Sequence, residues 1–329
     1  MIKFLVYVAI ILAVLAVGYL VRVFELAQSL KGKRSEEITD KDNQNMAKVM
    51  LGLLVFLFGF TIWQLNEYGS KLLPEAASIH GVETDKLLDF NFAIIWIVFV
   101  LTQFLLFWFA YKYYGRKNNR ASYFPHSNKL EMIWTVIPAI VLAVIIIFGL
   151  KTWNKITEPA AAESTIVQIY SKQFDWTARY AGKDNVLGES NYKLITASNE
   201  LGMVADNKEG QDDIIVKNEL HLPVNKEVEF KFNSRDVIHS AYFPHFRAQM
   251  NCVPGMTTMF HFTPTITTAE MRAKTGNDKF DYILLCNKIC GNSHYNMQMT
   301  IIVETEEEYN KWLSEKKPFG AAAATAEAK

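Results

Sequence analysis

The run Cys286-Asn-Lys-Ile-Cys290-Gly-Asn-Ser-His294-Tyr-Asn-Met297 gathers two thiols, an imidazole and a thioether within twelve residues. Thiolate and thioether are soft ligands, and together with imidazole they suit copper better than calcium or magnesium. A loop between two strands can bring such side chains together without helical spacing. On these residues alone, three other readings stand beside copper. Cys286 and Cys290 could pair as a disulfide in an oxidising compartment. The same groups could hold zinc, although methionine is a poor zinc ligand. Met297 could simply pack in a core, as most methionines do.

The rest of the 329-residue chain narrows the field. It has three cysteines, Cys252, Cys286 and Cys290, an odd number and too few for a disulfide scaffold. No Cys-x-x-Cys-His run exists, so no c-type haem is expected on this chain. Lys plus Arg and Asp plus Glu each number 34, and zero net charge gives no bulk field for nucleic acid or an anionic surface. The length allows more than one folding unit.

Those ligands must be carried by something, and the first half of the chain reads as a membrane anchor. Four stretches lack charge: Phe4 to Val21, Val49 to Asn66, Phe90 to Tyr111 and Met132 to Leu150. Each approaches or exceeds the roughly 20 residues that cross a bilayer core. Trp63, Tyr68, Trp134 and Trp153 lie near their ends, as interfacial aromatics do. Lys3 precedes the first run as in a signal peptide, but no small-x-small cleavage site precedes the charged stretch from Arg22, so a retained span is expected. Arg22, Lys31, Lys33, Arg34, Lys41 and Lys48 fill the first loop, and Lys112, Arg116, Lys117, Arg120 and Lys129 the third. The middle loop has only Lys71 and Lys86 beside five acids. The positive-inside rule then puts the first and third loops in the cytoplasm, and the N-terminus, the middle loop and everything after Lys151 outside.

From Ser164 the pattern changes to period-two alternation in Thr165–Tyr170, Glu227–Phe232, Phe280–Leu285 and Met299–Val303. This predicts an all-β sandwich or Greek-key barrel. Ala181–Asp213 is polar and reads as an extended loop, with one strand candidate at Tyr192–Thr196. Thr305–Lys316 reads as a short amphipathic helix, and Ala321–Lys329 as a low-complexity tail.

Taken together, these motifs resemble the copper A-containing cytochrome c oxidase subunit II of bacterial haem-copper oxidases. The loop matches that family's Cys-x-x-x-Cys-x-x-x-His-x-x-Met pattern. Asn218-Glu-Leu-His-Leu-Pro223, Arg235-Asp-Val-Ile-His239-Ser240 and Val253-Pro-Gly255 follow the family's order, preceded by Gln173-Phe-Asp-Trp176 and Glu131-Met-Ile-Trp-Thr-Val-Ile-Pro138. The likeness covers about residues 90 to 304. It implies a cupredoxin-like Greek-key domain outside a helical anchor. The boundaries expected are an additional N-terminal hairpin over 1–66, an external loop over 67–89, a core hairpin over 90–152, the copper domain over 153–318 and a disordered tail over 319–329.

The resemblance also implies roles. Cys286 and Cys290 would bridge two copper ions; His239 and Met297 would complete one, and His294 and the backbone carbonyl of Lys288 the other. Phe174 and Trp176 would receive electrons from cytochrome c or a cytochrome c domain. The electrons would pass to haem in oxidase subunit I, where oxygen is reduced to water with proton translocation. Glu131 would admit protons on the cytoplasmic side, although Asn128 to Glu131 also fits a helix capping box. The setting would be the bacterial plasma membrane. The chain departs from the family at several points. Lys288 stands where Glu usually helps to hold magnesium, so magnesium is not expected through that side chain. Phe174 replaces a Trp, and Arg179 stands where an acidic docking residue is common. Extra sequence surrounds Thr265–Asn277, and Cys252 has no family role. Three neighbouring readings fit less well. Quinol-oxidase subunits generally lack these ligands, copper assembly proteins lack the two-hairpin anchor, and nitrous oxide reductase joins its copper A domain to another that is absent here.

Overall fold

The computed structural model describes residues 2–30 and 38–320, with side chains from residue 7 onward. Four helices are long and apolar enough to cross a membrane: α1 (Ile2–Leu30), α2 (Asp40–Tyr68), α3 (Ile79–Lys112) and α4 (Asn128–Thr157). The chain divides into two compact units, one of residues 1–69 and 95–129, the other of 70–94 and 130–329.

In the first unit, Thr39 caps α2 through a reciprocal box with Asp42. The Asp40 carboxylate accepts the Lys117 N–H at 3.2 Å, and Asn43 Nδ2 donates to Gly115 O at 3.1 Å. The start of α2 is thereby tied to the segment just after α3.

Two expectations about the helices need correction. The segment 67–89 is not all loop, because α3 begins at Ile79. Counting uncharged residues finds the hydrocarbon crossing and misses the turns beyond it, where charges have partners. Lys155 Nζ lies 2.5 Å from Glu83, and Arg247 Nε 2.8 Å from Asp85. Asn128 is the first residue of α4, which leaves Ser127 in the capping position. Glu131 is then out of register for a box with Asn128.

In the second unit the β domain is a cupredoxin-like Greek-key sandwich. Its strands are β1 (Thr165–Lys172), β2 (Asp175–Tyr180), β3 (Ile214–Lys217), β4 (Glu219–Pro223), β5 (Val228–Ser234), β6 (His239–Phe243), β7 (Ala248–Cys252), β8 (Thr258–Phe262), β9 (Tyr282–Cys286) and β10 (Gln298–Glu304). One sheet runs β3-β2-β1-β5-β8, the other β4-β10-β9-β6-β7. β1 pairs parallel with β5, and β4 parallel with β10. Alternation sets the core: in β5, Val228, Phe230, Phe232 and Ser234 point inward. Phe230, Phe232, Phe243, Phe246 and Phe262 stack between the sheets, each about 1–2 % exposed or less. Burying such a ring contributes roughly 1.5–3 kcal/mol.

The insertion around Thr265–Asn277 forms a helix, α5 (Thr268–Thr275), with a Thr267/Glu270 capping box and Gly276 closing it at φ 62°. The strand candidate Tyr192–Thr196 is instead a 3₁₀ turn, Tyr192–Leu194, because the Asn191 side chain accepts the Lys193 N–H. The C-terminal helix α6 (Glu306–Ser314) is capped by Thr305. Residues 319 and 320 are held in place, Phe319 N–H by Asp213 O and Gly320 N–H by Gln211 O. The remaining tail lies outside the described residues.

The long 181–213 segment is pinned at both ends. Arg179, 1 % exposed, pairs with the fully buried Asp213 and donates to Gly188 O. Burial pushes the Asp213 carboxyl up against the pull of Arg179. Farther along, Glu200 takes Lys217 at 2.8 Å and Lys172 at 2.9 Å. Lys217 first and Lys172 second hold its carboxyl down, at about 2 instead of 4.5. The stability from this depression is fully present above pH 4.5 and is lost as pH falls through about 2. Limited proteolysis at stepped pH should therefore show cleavage in 189–203 growing across that window. Glu200→Gln should flatten the dependence.

Candidate metal centre

The strand register brings the ligand candidates together. Antiparallel β6 and β9 pair Ala241 with Cys286. His239 lies two residues from Ala241, so its side chain shares the face that carries Cys286. Met297 immediately precedes β10, and its carbonyl accepts the Cys286 N–H at 3.1 Å, closing the neck of the 287–297 loop. Asn287 N–H reaches Ser240 O at 2.9 Å, which ties the loop to β6. A 3₁₀ turn, His294–Asn296, then returns the chain toward Cys290.

Ligand atoms of His239, Cys286 and Cys290 lie within 4.8 Å of one another. Cys286 Sγ is 3.8 Å from His239 Nδ1, 3.2 Å from Lys288 O and 3.8 Å from Cys290 Sγ. Cys290 Sγ is 3.7 Å from His294 Nδ1 and 3.8 Å from Met297 Sδ. All six predicted groups thus converge, the other four lying around the two sulfurs. A disulfide needs sulfurs about 2.05 Å apart, so these two are not bonded. They are close enough for one ion to sit about 2.3 Å from both, the usual metal–thiolate distance. The donor set of two thiols, two imidazoles, a carbonyl and a thioether fits copper. Burial, then the neighbouring Cys286, pushes the Cys290 thiol up to about 11. Metal binding would therefore release protons.

The surroundings of His239 were not read from the sequence. The ring is fully buried, with its Nε2 2.9 Å from Asp236 Oδ1 and its face edge-on to Trp176. Asp236 also accepts N–H bonds from Gln173 at 2.8 Å and Val237 at 2.7 Å. Burial opposes ionisation of Asp236, but these bonds outweigh it and hold the carboxyl below its ordinary range. The only sequence signal for Asp236 was its Asp-x-x-His spacing.

Phe174 is half-buried and rests on the ligand loop. Gly291 has φ 146°, and a Cβ there would lie 2.7 Å from the Phe174 ring. Trp176 is 0 % exposed and cannot touch a donor. Arg179 is buried in its ion pair and is likewise no docking residue. Glu131 is exposed on the first turns of α4. Cys252 is buried opposite His239 in β7, outside the cluster, and burial lifts its thiol to about 12. Among the other histidines, His126 is exposed and four have structural surroundings. His80 packs on Phe260 and Phe262, and burial lowers it to about 4. His245 packs on Phe280 and Tyr282. His221 stacks on Trp312 at 3.9 Å, and His261 Nδ1 meets Glu227 at 2.6 Å.

Comparison with known proteins gives consistent matches. Residues 60–152 match the family model described as cytochrome C oxidase subunit II, transmembrane domain, and residues 165–305 that of its periplasmic domain. An alternative cytochrome c oxidase subunit 2 from Bradyrhizobium diazoefficiens is 37 % identical over 68 % of this chain and 78 % of its own length. A cytochrome c oxidase subunit 2 from Thermostichus vulcanus is 25 % identical over 82 % of this chain and 85 % of its own. Among solved structures, the periplasmic domain of subunit II of cytochrome oxidase from Bradyrhizobium japonicum aligns at 21 % identity and TM-score 0.32, covering 47 % of this chain and 94 % of that one.

Proposed function

Because this chain belongs to the cytochrome c oxidase subunit II family, we propose that it is the electron-accepting subunit of a respiratory haem-copper oxidase in a bacterial plasma membrane. The observation that carries this reading is the gathering of four further donor groups around two unbonded sulfurs 3.8 Å apart. Cys286 and Cys290 would hold two copper ions jointly. His239 and Met297 would complete one, and His294 and the Lys288 carbonyl the other. When bound, such a pair supplies a one-electron relay whose charge is shared, so little geometry changes during transfer.

The chain's own residues do the rest. The β6–β9 pairing and the closed loop neck fix the ligands in advance. His239, Cys290 and Met297 are buried, which keeps water from the inner side. Phe174 touches the ligand loop and offers the contact for a cytochrome c or a cytochrome c domain. Trp176 backs His239 from inside. Oxygen reduction, coupled to proton translocation, would occur in subunit I.

Two measurements test this. The purified complex should carry two coppers on this subunit, with one spin shared by both nuclei; a mononuclear signal or native zinc would overturn the reading. Phe174→Ala should weaken donor docking by about 2 kcal/mol, roughly 30-fold, as truncating a central aromatic contact does. Copper content should stay unchanged, and an unaltered donor rate would move the contact elsewhere.

Glu131 would collect protons from the cytoplasmic side. Glu131→Gln keeps the shape and removes the ionisable group. Turnover should fall while assembly and copper content hold; normal turnover would leave Glu131 with no proton role.

A further inference from the structure

A chain of hydrogen bonds links the Gln173–Phe174 turn to both sides of the candidate centre, and its hub lies outside the ligand set. Asp236 Oδ2 accepts the Gln173 N–H at 2.8 Å, and Asp236 Oδ1 accepts from Val237 N at 2.7 Å and from His239 Nε2 at 2.9 Å. The Gln173 side chain reaches the other way, donating from Nε2 to Cys290 O at 2.5 Å. Resting on the copper reading above, we propose that Asp236 and Gln173 are positioning residues: Asp236 turns His239 Nδ1 toward Cys286, and Gln173 locks the donor-facing turn to Cys290.

The Asp236 side chain is 30 % exposed, which invites a reading as a surface charge for docking. Its bonds point the other way. Both carboxylate oxygens are engaged by neighbours within the domain. His239 is 0 % exposed, and the carboxylate stands between its Nε2 and solvent. A carboxylate on the outer nitrogen fixes the tautomer, holds the ring plane and makes the inner nitrogen a better ligand. Here the inner nitrogen, Nδ1, is the one that faces Cys286 Sγ. Removing the carboxylate would strip Nε2 of the bond that holds it and free the ring to turn.

Gln173 makes the arrangement a unit. Its backbone is held by Asp236 and its side chain holds the Cys290 carbonyl, one residue before the glycine on which Phe174 rests. A shift of the Phe174 turn would therefore disturb His239 and Cys290 together. The Trp176 ring against His239 restrains the imidazole from its other side.

The test uses the full-length chain and reads the histidine directly. In metal-free protein labelled with ¹⁵N-histidine, the parent should show one buried imidazole with a protonated, hydrogen-bonded Nε2. Asp236→Ala should lose that signature. On copper loading, Asp236→Ala should bind roughly 10–100-fold more weakly, the usual effect of losing such a partner. The hyperfine coupling of one histidine nitrogen should change while the other stays. Gln173→Ala should alter the cysteine proton couplings and leave both histidine nitrogens as in the parent. If Asp236→Ala keeps the parent nitrogen signature and copper affinity, the proposal is wrong. A parent chain that takes up no copper pair would instead sink the copper reading, and the metal-free nitrogen signal would still decide whether Asp236 orients His239.

Discussion

Cys286→Ser is expected to abolish the shared-spin copper signal and to bring electron uptake from the donor to background. Cys286 stands at the middle of the cluster, 3.2 to 3.8 Å from His239, Lys288 O and Cys290 Sγ. A serine hydroxyl is a hard, weak ligand for copper and does not replace a bridging thiolate. Copper content should drop to one ion or none, while the β domain stays folded because the residue is half-exposed at a strand end. Cys252→Ser is the control: that thiol lies outside the cluster, so the signal should persist. A Cys286→Ser protein that retains two coppers and a shared spin would show that the sulfurs do not bridge.

Asp213→Ala should produce one of the largest losses of stability in the outer domain. It strips the partner from Arg179, whose side chain is 1 % exposed. A buried charge left unpaired in this way typically costs about 3–5 kcal/mol. Against the roughly 5–15 kcal/mol that holds a domain folded, that is a large fraction. Denaturant titration of parent and variant measures it, and a loss below about 1 kcal/mol would mean that water or another group reaches the guanidinium. Asp213→Asn should fall between, since an amide oxygen can still accept from Arg179 Nε.

The sequence was most legible where a pattern maps directly onto a physical period. Four apolar runs gave four helices, and alternation found β1, β5, β9 and β10. The ligand loop was legible because its soft donors are close in sequence. His239 was not, since it lies 47 residues before Cys286 and only strand pairing joins them. The family resemblance supplied it. Helix α5 was missed although Thr267-x-x-Glu270 and Gly276 were in plain view; the segment is polar, and of its two buried residues, Thr268 and Met271, only one is apolar, which gives no hydrophobic periodicity. The resemblance put Trp176 and Arg179 at donor-facing positions, and the structure buries both. Asp213, 34 positions away, is what lets Arg179 go inside.

The parallel pairing of β4 with β10 also sets a timetable. β4 waits for a partner that begins 75 residues after β4 ends, and β10 in turn pairs with β9, which carries Cys286. Contacts of such long range form slowly, because the intervening loop must close before they repay the lost entropy. The candidate metal pocket therefore forms only once the chain through residue 304 is available. On the copper reading, the thiols at 286 and 290 would stand unsheltered until then, and copper would be delivered to a finished sandwich.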